Sequence, residues 1–209
     1  MKAPSFVRTD LRARAAYAEG AGIYRIVPRA VALPETTEQL QSLVRWAGRT
    51  GTPVVPRGAG TGMPGGNVGP GVVVDLTRLD GAPLAVTADG RAHAGAAVTW
   101  AAIEAAARRS RLRILPDPSS GKWATVGGMI ATNAAGPRTL AHGPVRRWVD
   151  AATIVTADGQ VTELRRGHRP DLGVRAVRRF YDEVHEQLRA EYAAIRERWD
   201  RGVRKNSAG

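Results

Sequence analysis

Apolar positions along this 209-residue chain change their spacing several times, and each change predicts an element. After an approach segment over residues 1–30, with a helix around Asp10 to Glu19, the run Pro34-Glu35-Thr36-Thr37-Glu38 reads as a helix start: a Thr cap and an acidic first turn. Leu40, Leu43, Val44 and Ala47 then recur at helical spacing, and Gly51 supplies the stop. Val54-Val55 reads as a strand, as does the β-branched run Val72-Val73-Val74-Asp75-Leu76. Strands at 84–87 and 91–98 flank Asp89-Gly90, and strands near 152–157 and 160–165 flank Asp158-Gly159, both hairpin turn signals. Thr99 caps a helix through Arg109, and a long helix is expected near 174–200. This mixture predicts an α+β domain of two small subdomains.

Between the strands at 54 and 72 lies the run Pro56-Arg57-Gly58-Ala59-Gly60-Thr61-Gly62-Met63-Pro64-Gly65-Gly66-Asn67. Successive amides in such a loop can face one way and form a concave anion site. A P-loop would need Gly-Lys-Ser/Thr, and the lone Gly121-Lys122 is followed by Trp123. Gly60-x-Gly62-x-x-Gly65 satisfies the dinucleotide fingerprint on paper, but that pattern must open a helix. Here Pro64, Gly65, Gly66, Gly69, Pro70 and Gly71 oppose one. The loop therefore joins strand to strand. The competing reading is a glycine-rich turn with no ligand.

Residues 116–136 form a second constellation, Pro-Asp-Pro-Ser-Ser-Gly-Lys-Trp-Ala-Thr-Val-Gly-Gly-Met-Ile-Ala-Thr-Asn-Ala-Ala-Gly. Small side chains there would admit a flat ligand, while Ser119, Ser120, Thr125, Thr132 and Asn133 add hydrogen-bonding groups without bulk. A short helix beginning near Thr125 would aim amides and a positive dipole end at an anion. Taken alone, the segment also fits a small-residue helix packed in a core.

Together with His142-Gly143-Pro144-Val145, the two segments resemble the FAD-binding domain of the vanillyl-alcohol oxidase / p-cresol methylhydroxylase (PCMH-type) superfamily. Within it the chain is similar to FAD-linked D-2-hydroxyacid dehydrogenases of the glycolate oxidase, D-lactate and D-2-hydroxyglutarate type, over residues 8–166. The resemblance implies the PCMH-type fold, with FAD between the two subdomains. It implies an FAD-binding domain at 31–166 and, at 167–209, a C-terminal helix leading to a substrate domain. It gives the diphosphate to the backbone of Arg57, Gly58, Ala59, Gly60, Thr61 and Gly62, with Met63 and Asn67 adjacent. It gives the ribityl chain and isoalloxazine to Pro116, Ser119, Ser120, Thr125, Gly127, Gly128, Ala131, Thr132 and Asn133. Gly143 matches the family's aromatic-Gly position, although its partner here is His142, and Ile154 matches a position whose backbone contacts adenine. Some relatives carry a covalently attached FAD on a His where this chain has Thr61, so the expectation is non-covalent FAD. The implied activity is oxidation of a 2-hydroxy acid by hydride transfer to FAD. The implied partners are that acid, an electron acceptor and an iron–sulfur domain or subunit. In relatives a stretch like Arg204-Lys205-Asn206-Ser207-Ala208-Gly209 runs onward into the substrate domain, which leads us to expect a partial chain; a subunit completed in trans is the alternative. The superfamily also contains alcohol and amine oxidases and sugar-nucleotide reductases. A non-catalytic flavin-binding or basic interaction module is the reading from another class.

Composition changes this picture in few places. The formal net charge of +12 raises nucleic acid as a partner. Aromatic content of 5% is too sparse for a stacking platform, and the basic residues are almost all dispersed Arg, so no nucleic-acid partner is expected. With no cysteine the chain offers no disulfide, thiolate nucleophile or cysteine-held cluster. No signal peptide or membrane span is visible, and the expected location is the cytoplasm, peripheral to the inner membrane face at most. His93, His142, His168 and His185 have no metal-ligand spacing, so no metal is expected, and no nucleophile–base set can be nominated. Asp75 and Asp117 read as a strand end and a turn. Trp46, Trp100, Trp123, Trp148 and Trp199 read as packing anchors, with Trp123, inside the second constellation, placed to border the cofactor. No catalytic residue is assigned.

Overall fold

The computed structural model describes residues 2–198; Trp199 and the Arg204–Gly209 stretch lie outside them. The first layer is a four-stranded sheet in the order β1-β2-β4-β3. Its strands are β1 (Val7–Arg8), β2 (Ala30–Ala32), β3 (Val54–Arg57) and β4 (Val72–Asp75). β2 and β3 both run parallel to β4, while the short β1 is antiparallel to β2. Every residue of β2 and β4 is buried, the pattern of strands covered on both faces.

Helix α1 (Leu11–Ala16) precedes the sheet, and α2 (Thr37–Thr50) makes the crossover from β2 to β3. The Thr36 side chain accepts from the Gln39 amide, and Gly51 closes α2 in the left-handed region at φ 62°. α2 buries Leu43 and Ala47, and Leu43 packs with Ala30, Ala32, Val72 and Val74 in the main core.

The second layer gathers around α3 (Trp100–Arg109), capped by Thr99, and α4 (Val126–Ala131), capped by Thr125. Ala124, Met129 and Val145 form its core, with Trp100, Ile130 and Val149 packed against it. Two hairpins complete the domain, β5 (Ala85–Val86) with β6 (Ala92–His93) and β7 (Ala151–Val155) with β8 (Val161–Arg165). They turn at Gly90 and Gly159, φ 82° and 74°, as the Asp-Gly signals predict. The β7–β8 turn docks on the first layer, where Gln41 and Arg45 of α2 donate to the Gly159 carbonyl at 2.8 and 2.9 Å.

Three expectations need correction. The strand expected over 91–98 shrinks to β6, because residues 96–98 instead give their carbonyls to the start of α4. The long C-terminal helix is interrupted. α5 (Thr139–His142) belongs to the second layer; beyond it α6 (Arg175–Phe180) passes through a wide π turn at Tyr181–His185 into α7 (Glu186–Ala190). Glu191 then separates α7 from α8 (Tyr192–Arg198), and His185 stacks on Tyr181 at 4.2 Å. Trp46 and Trp100 do pack against the two cores, but Trp123 and Trp148 are 59% and 49% exposed. Among the described residues no helix is long and apolar enough to cross a membrane.

The second layer rests on one buried carboxylate. Glu104 in α3 is 5% exposed and accepts from Arg108 at 2.8 Å, Arg113 at 3.2 Å and the Ile114 amide at 3.0 Å. Burial pushes its pKa up, but the bonds from Arg108 and Ile114 and the Arg113 charge outweigh burial and hold it below the ordinary 4.5. A carboxylate held low adds stability that is present above its unfolded pKa and is lost as pH falls through the folded value. Glu104→Gln is therefore expected to cost about 1–3 kcal/mol at neutral pH by urea unfolding. The gap from the parent protein should close progressively as pH drops below the ordinary 4.5.

Candidate functional site

The glycine-rich loop leaves the end of β3 at Gly58 and enters β4 at Val72 without forming a helix. That outcome agrees with the rejection of the dinucleotide fingerprint. Among the described residues, the amides of Gly58, Ala59, Gly60, Thr61 and Gly62 meet no protein acceptor. Five neighbouring donors without acceptors on one turn are the chemistry an anion requires. The loop is held in shape from behind. Asn67 Nδ2 donates to the Gly62 carbonyl at 2.8 Å, and the Val68 amide donates to the Gly65 carbonyl at 3.2 Å. Asn67 Oδ1 is buried without a partner, and Met63 is 69% exposed.

Residues 19–24 run along this loop. The Ala21 amide donates to the Gly60 carbonyl at 3.0 Å, and Tyr24 packs on Gly65. Arg57 closes β3, and its side chain turns back to donate to the carbonyls of Glu19 at 2.8 Å and Asn67 at 3.3 Å. Its guanidinium lies 5.3 Å from the centre of the Tyr17 ring, and the Tyr17 hydroxyl donates to Asp75 at 2.5 Å. Burial, then that bond to Asp75, pushes the Tyr17 phenol up to about 12. Tyr17 and residues 19–24 were missed from the sequence. Their signal was Gly20-Ala21-Gly22, two glycines at close approaches: the Asn67 side chain lies against Gly20 and the Met63 backbone against Gly22.

The second constellation folds into a turn followed by α4. Pro116 is buried, and its carbonyl accepts from Trp100 Nε1 at 2.5 Å. The Ser120 carbonyl accepts from the amides of Trp123 and Ala124, while the hydroxyls of Ser119 and Ser120 have no protein partner among the described residues. The first-turn amides of α4 are already committed. Val126 donates to Val98, Gly127 to Ala96, and Gly128 to the Thr125 side chain, at 2.8, 2.9 and 3.3 Å. The anion-facing helix start expected near Thr125 is therefore not what this helix offers. Its contribution is a close-packed surface of small residues.

Beyond α4, the Thr132 hydroxyl donates back to the Gly128 carbonyl, and Ala131 is exposed. Asn133 adopts φ 46° and accepts from the Arg146 amide at 3.0 Å, leaving its Nδ2 buried without a partner. Gly143, at φ 78°, ends α5 against the Arg147 side chain. Ile154 lies in mid-β7 opposite Thr162, half-buried. Asp75 and Asp117 have separate partners: Asp75 takes Tyr17 and Thr77, and Asp117 takes Arg138 at 2.7 Å.

The two constellations meet. A Cβ placed on Gly58 would lie 2.3 Å from Thr125 Oγ1 and 3.8 Å from the Gly128 Cα. The free amides of the first loop thus adjoin the small-residue start of α4. A diphosphate joined to a flat ring system fits this donor set: five unmatched amides for the anion, and an orphaned Asn133 donor for a polar edge. Two shallow concavities lie elsewhere. One, of about 250 Å³, is lined by Arg108, Arg111, Leu112 and Arg113. The other, of about 260 Å³, is lined by His185, Leu188, Arg189 and Tyr192. Neither includes a residue of the two glycine-rich segments, and the chemistry of the donors locates the site better than the size of a hollow.

The chain is 39% identical over 144 residues to a D-lactate dehydrogenase of Archaeoglobus fulgidus, a match covering 65% of this chain and 32% of that protein. It is 38% identical over 140 residues to a D-2-hydroxyglutarate dehydrogenase of Xanthomonas citri pv. viticola, covering 66% of this chain and 29% of the relative. The chain thus spans about a third of the length of these relatives. The fold is shared with 6-hydroxy-D-nicotine oxidase from Arthrobacter nicotinovorans, at TM-score 0.68 and 23% identity over 82% of this chain and 38% of that one. The family described as FAD binding domain matches residues 28–165, both glycine-rich segments included; the chain belongs to that family, and its cofactor is FAD.

Proposed function

We propose that this chain is the FAD-binding part of a flavin-dependent oxidoreductase that oxidises a 2-hydroxy acid of the D-lactate, glycolate or D-2-hydroxyglutarate type. The observation that carries the reading is the close approach of Gly58 to Thr125 and Gly128, which sets free amides beside a surface of small residues. The names of the two dehydrogenases described above support the substrate class.

When bound, FAD supplies the hydride acceptance that the protein's own side chains lack. The chain's residues bind and orient. The amides from Gly58 to Gly62 hold the diphosphate, with Met63 and Asn67 beside it. Ser119, Ser120, Thr125, Gly127, Gly128, Ala131, Thr132 and Asn133 line the ring and its polyol chain, and Pro116 fixes the turn that presents them. Gly143 and Ile154 close the far side. Thr61 stands where a covalent link would need a nucleophilic ring nitrogen, so attachment is non-covalent. Residues 31–166 are the binding domain, and 167–209 lead to a substrate domain that carries the base and the carboxylate-binding group. An electron acceptor and an iron–sulfur domain or subunit complete the partners, and the setting is the cytoplasm.

Titration of the purified protein with FAD is expected to quench flavin fluorescence saturably, and denaturation should release all flavin into the filtrate. Flavin retained on the denatured chain would overturn the non-covalent reading. The full-length protein, kept anaerobic, should lose its yellow absorbance on adding a 2-hydroxy acid. Bleaching by an alcohol or amine instead, or reoxidation of the reduced flavin by a sugar nucleotide, would reassign the substrate.

The contact itself can be tested. Gly58→Ala places a methyl against Thr125 Oγ1 and is expected to cost about 1–3 kcal/mol of stability, with weaker FAD binding. Thr125→Ala alone costs about 1 kcal/mol as a lost helix cap. Combined, the two should cost less than their sum, because the clashing oxygen is gone; additive losses in urea unfolding would place the two segments apart.

A further inference from the structure

We propose that Arg57 is a positioning residue for the cofactor loop, acting through the strap of residues 19–24, and that its guanidinium is not a ligand of the diphosphate. The proposal rests on the reading of Gly58–Gly62 as the diphosphate cradle. Arg57 stands next to that cradle in sequence, where a cation would ordinarily be taken as an anion ligand. One of its three guanidinium nitrogens is engaged elsewhere, and another is packed against Gly60. One guanidinium nitrogen donates to the Glu19 carbonyl at 2.8 Å and to the Asn67 carbonyl at 3.3 Å. A Cβ on Gly60 would lie 2.4 Å from its other terminal nitrogen, so the planar group fills the space directly behind the loop.

The strap then grips the loop on its own account. The Ala21 amide donates to the Gly60 carbonyl at 3.0 Å, and a Cβ on Gly22 would fall 2.2 Å from the Met63 carbonyl oxygen. The whole assembly is footed on the sheet through Tyr17, whose ring faces Arg57 and whose hydroxyl donates to Asp75 at the end of β4. Asp75 is 8% exposed and is itself fixed by the Thr77 amide and hydroxyl at 2.8 and 2.7 Å. A chain of contacts thus runs from the buried sheet through Tyr17 and Arg57 to both ends of the loop. Both carbonyl bonds come from one terminal nitrogen, while the guanidinium lies over the Tyr17 ring and its second terminal nitrogen packs against Gly60; a lysine ammonium, a single point on a flexible stem, supplies no plane to fill that space.

The test uses the whole chain, with FAD affinity read by flavin fluorescence at several salt concentrations and amide exchange measured on FAD-free protein. Arg57→Lys is expected to weaken FAD at least ~10-fold with an unchanged salt dependence, and to speed exchange at the Ala21 amide. Gly22→Ala should reproduce both effects without touching a charge. A direct ligand would behave otherwise: Arg57→Lys would hold affinity within ~2-fold, Arg57→Gln would flatten the salt dependence, and Ala21 exchange would stay put. That set of results overturns the proposal, as does faster exchange with unaltered affinity. If Arg57→Lys does not fold, Tyr17→Phe carries the same two readouts, keeping the ring and losing the bond to Asp75. If the parent protein binds no FAD, the reading of the cradle falls, and Ala21 exchange alone then decides whether Arg57 holds the strap.

Discussion

Gly58 and Thr125 stand so close that a single added carbon would overlap the threonine oxygen, and the arrangement of the rest of the chain follows from that approach. Gly58 is delivered by β3, at the edge of the first sheet. Thr125 is delivered by the pairing of residues 96–100 with 124–127, which includes a bridge between Thr99 and Thr125 and the bonds from Trp100, Val126 and Gly127. One threonine cap therefore starts α3 while the other starts α4, and the two caps lie side by side. The contact contributes little burial. Its importance is positional, since it fixes where two separately built layers touch.

The two layers divide the work of recognition unequally. Among the described residues the amides of Gly58–Gly62 have no protein acceptor, a condition a folded chain tolerates only where water or a ligand can reach them. Ala59 and Met63 are exposed, so solvent has access there. In α4 every first-turn amide is matched within the protein, so that helix cannot serve as a second anion site. Electrostatic attraction for a diphosphate is confined to one side. The other side contributes flatness, through glycines and alanines, together with the orphaned Asn133 donor. A bipartite cofactor with a charged half and a planar half matches that division.

Local chemistry was legible in the sequence to the extent that it is decided locally. Thr36, Thr99 and Thr125 cap the helices they precede, Gly51 ends α2, and the Asp-Gly pairs turn their hairpins, because each choice depends on a few adjacent residues. The strand-to-strand loop followed from prolines and glycines that bar a helix. What the sequence concealed depended on distant partners. Val98 and Ala96 claim the amides of α4 from about thirty residues away, and Trp123 and Trp148 stay exposed while Trp100 packs on the second core. The strap of residues 19–24 was obscured for the same reason: Gly20-Ala21-Gly22 marks a close approach, but nothing adjacent to Gly22 announces that the Met63 carbonyl will arrive against it.

The excess of positive charge finds an explanation in this economy of contacts. A formal charge of +12 suggests a polyanion surface until the side chains are followed to their ends. Arg14 donates to the Pro28 carbonyl, Arg45 to Gly159, Arg57 to Glu19, Arg166 to Val149 and Arg178 to Leu172. In each case the guanidinium ties one segment to the backbone carbonyl of another, a job that needs several directed donors on a long stem. Others pair with carboxylates, as Arg138 does with Asp117 and Arg108 and Arg113 do with Glu104. A chain assembled from short strands and many loops leaves numerous carbonyls outside any ladder, and arginine satisfies them across distances a lysine ammonium would bridge with less control. Part of the charge thus serves to fasten the loops. One of these fasteners, Arg57, lies against the glycine-rich loop, so the arginine chemistry that ties segments together elsewhere also bears on the shape of the cofactor site.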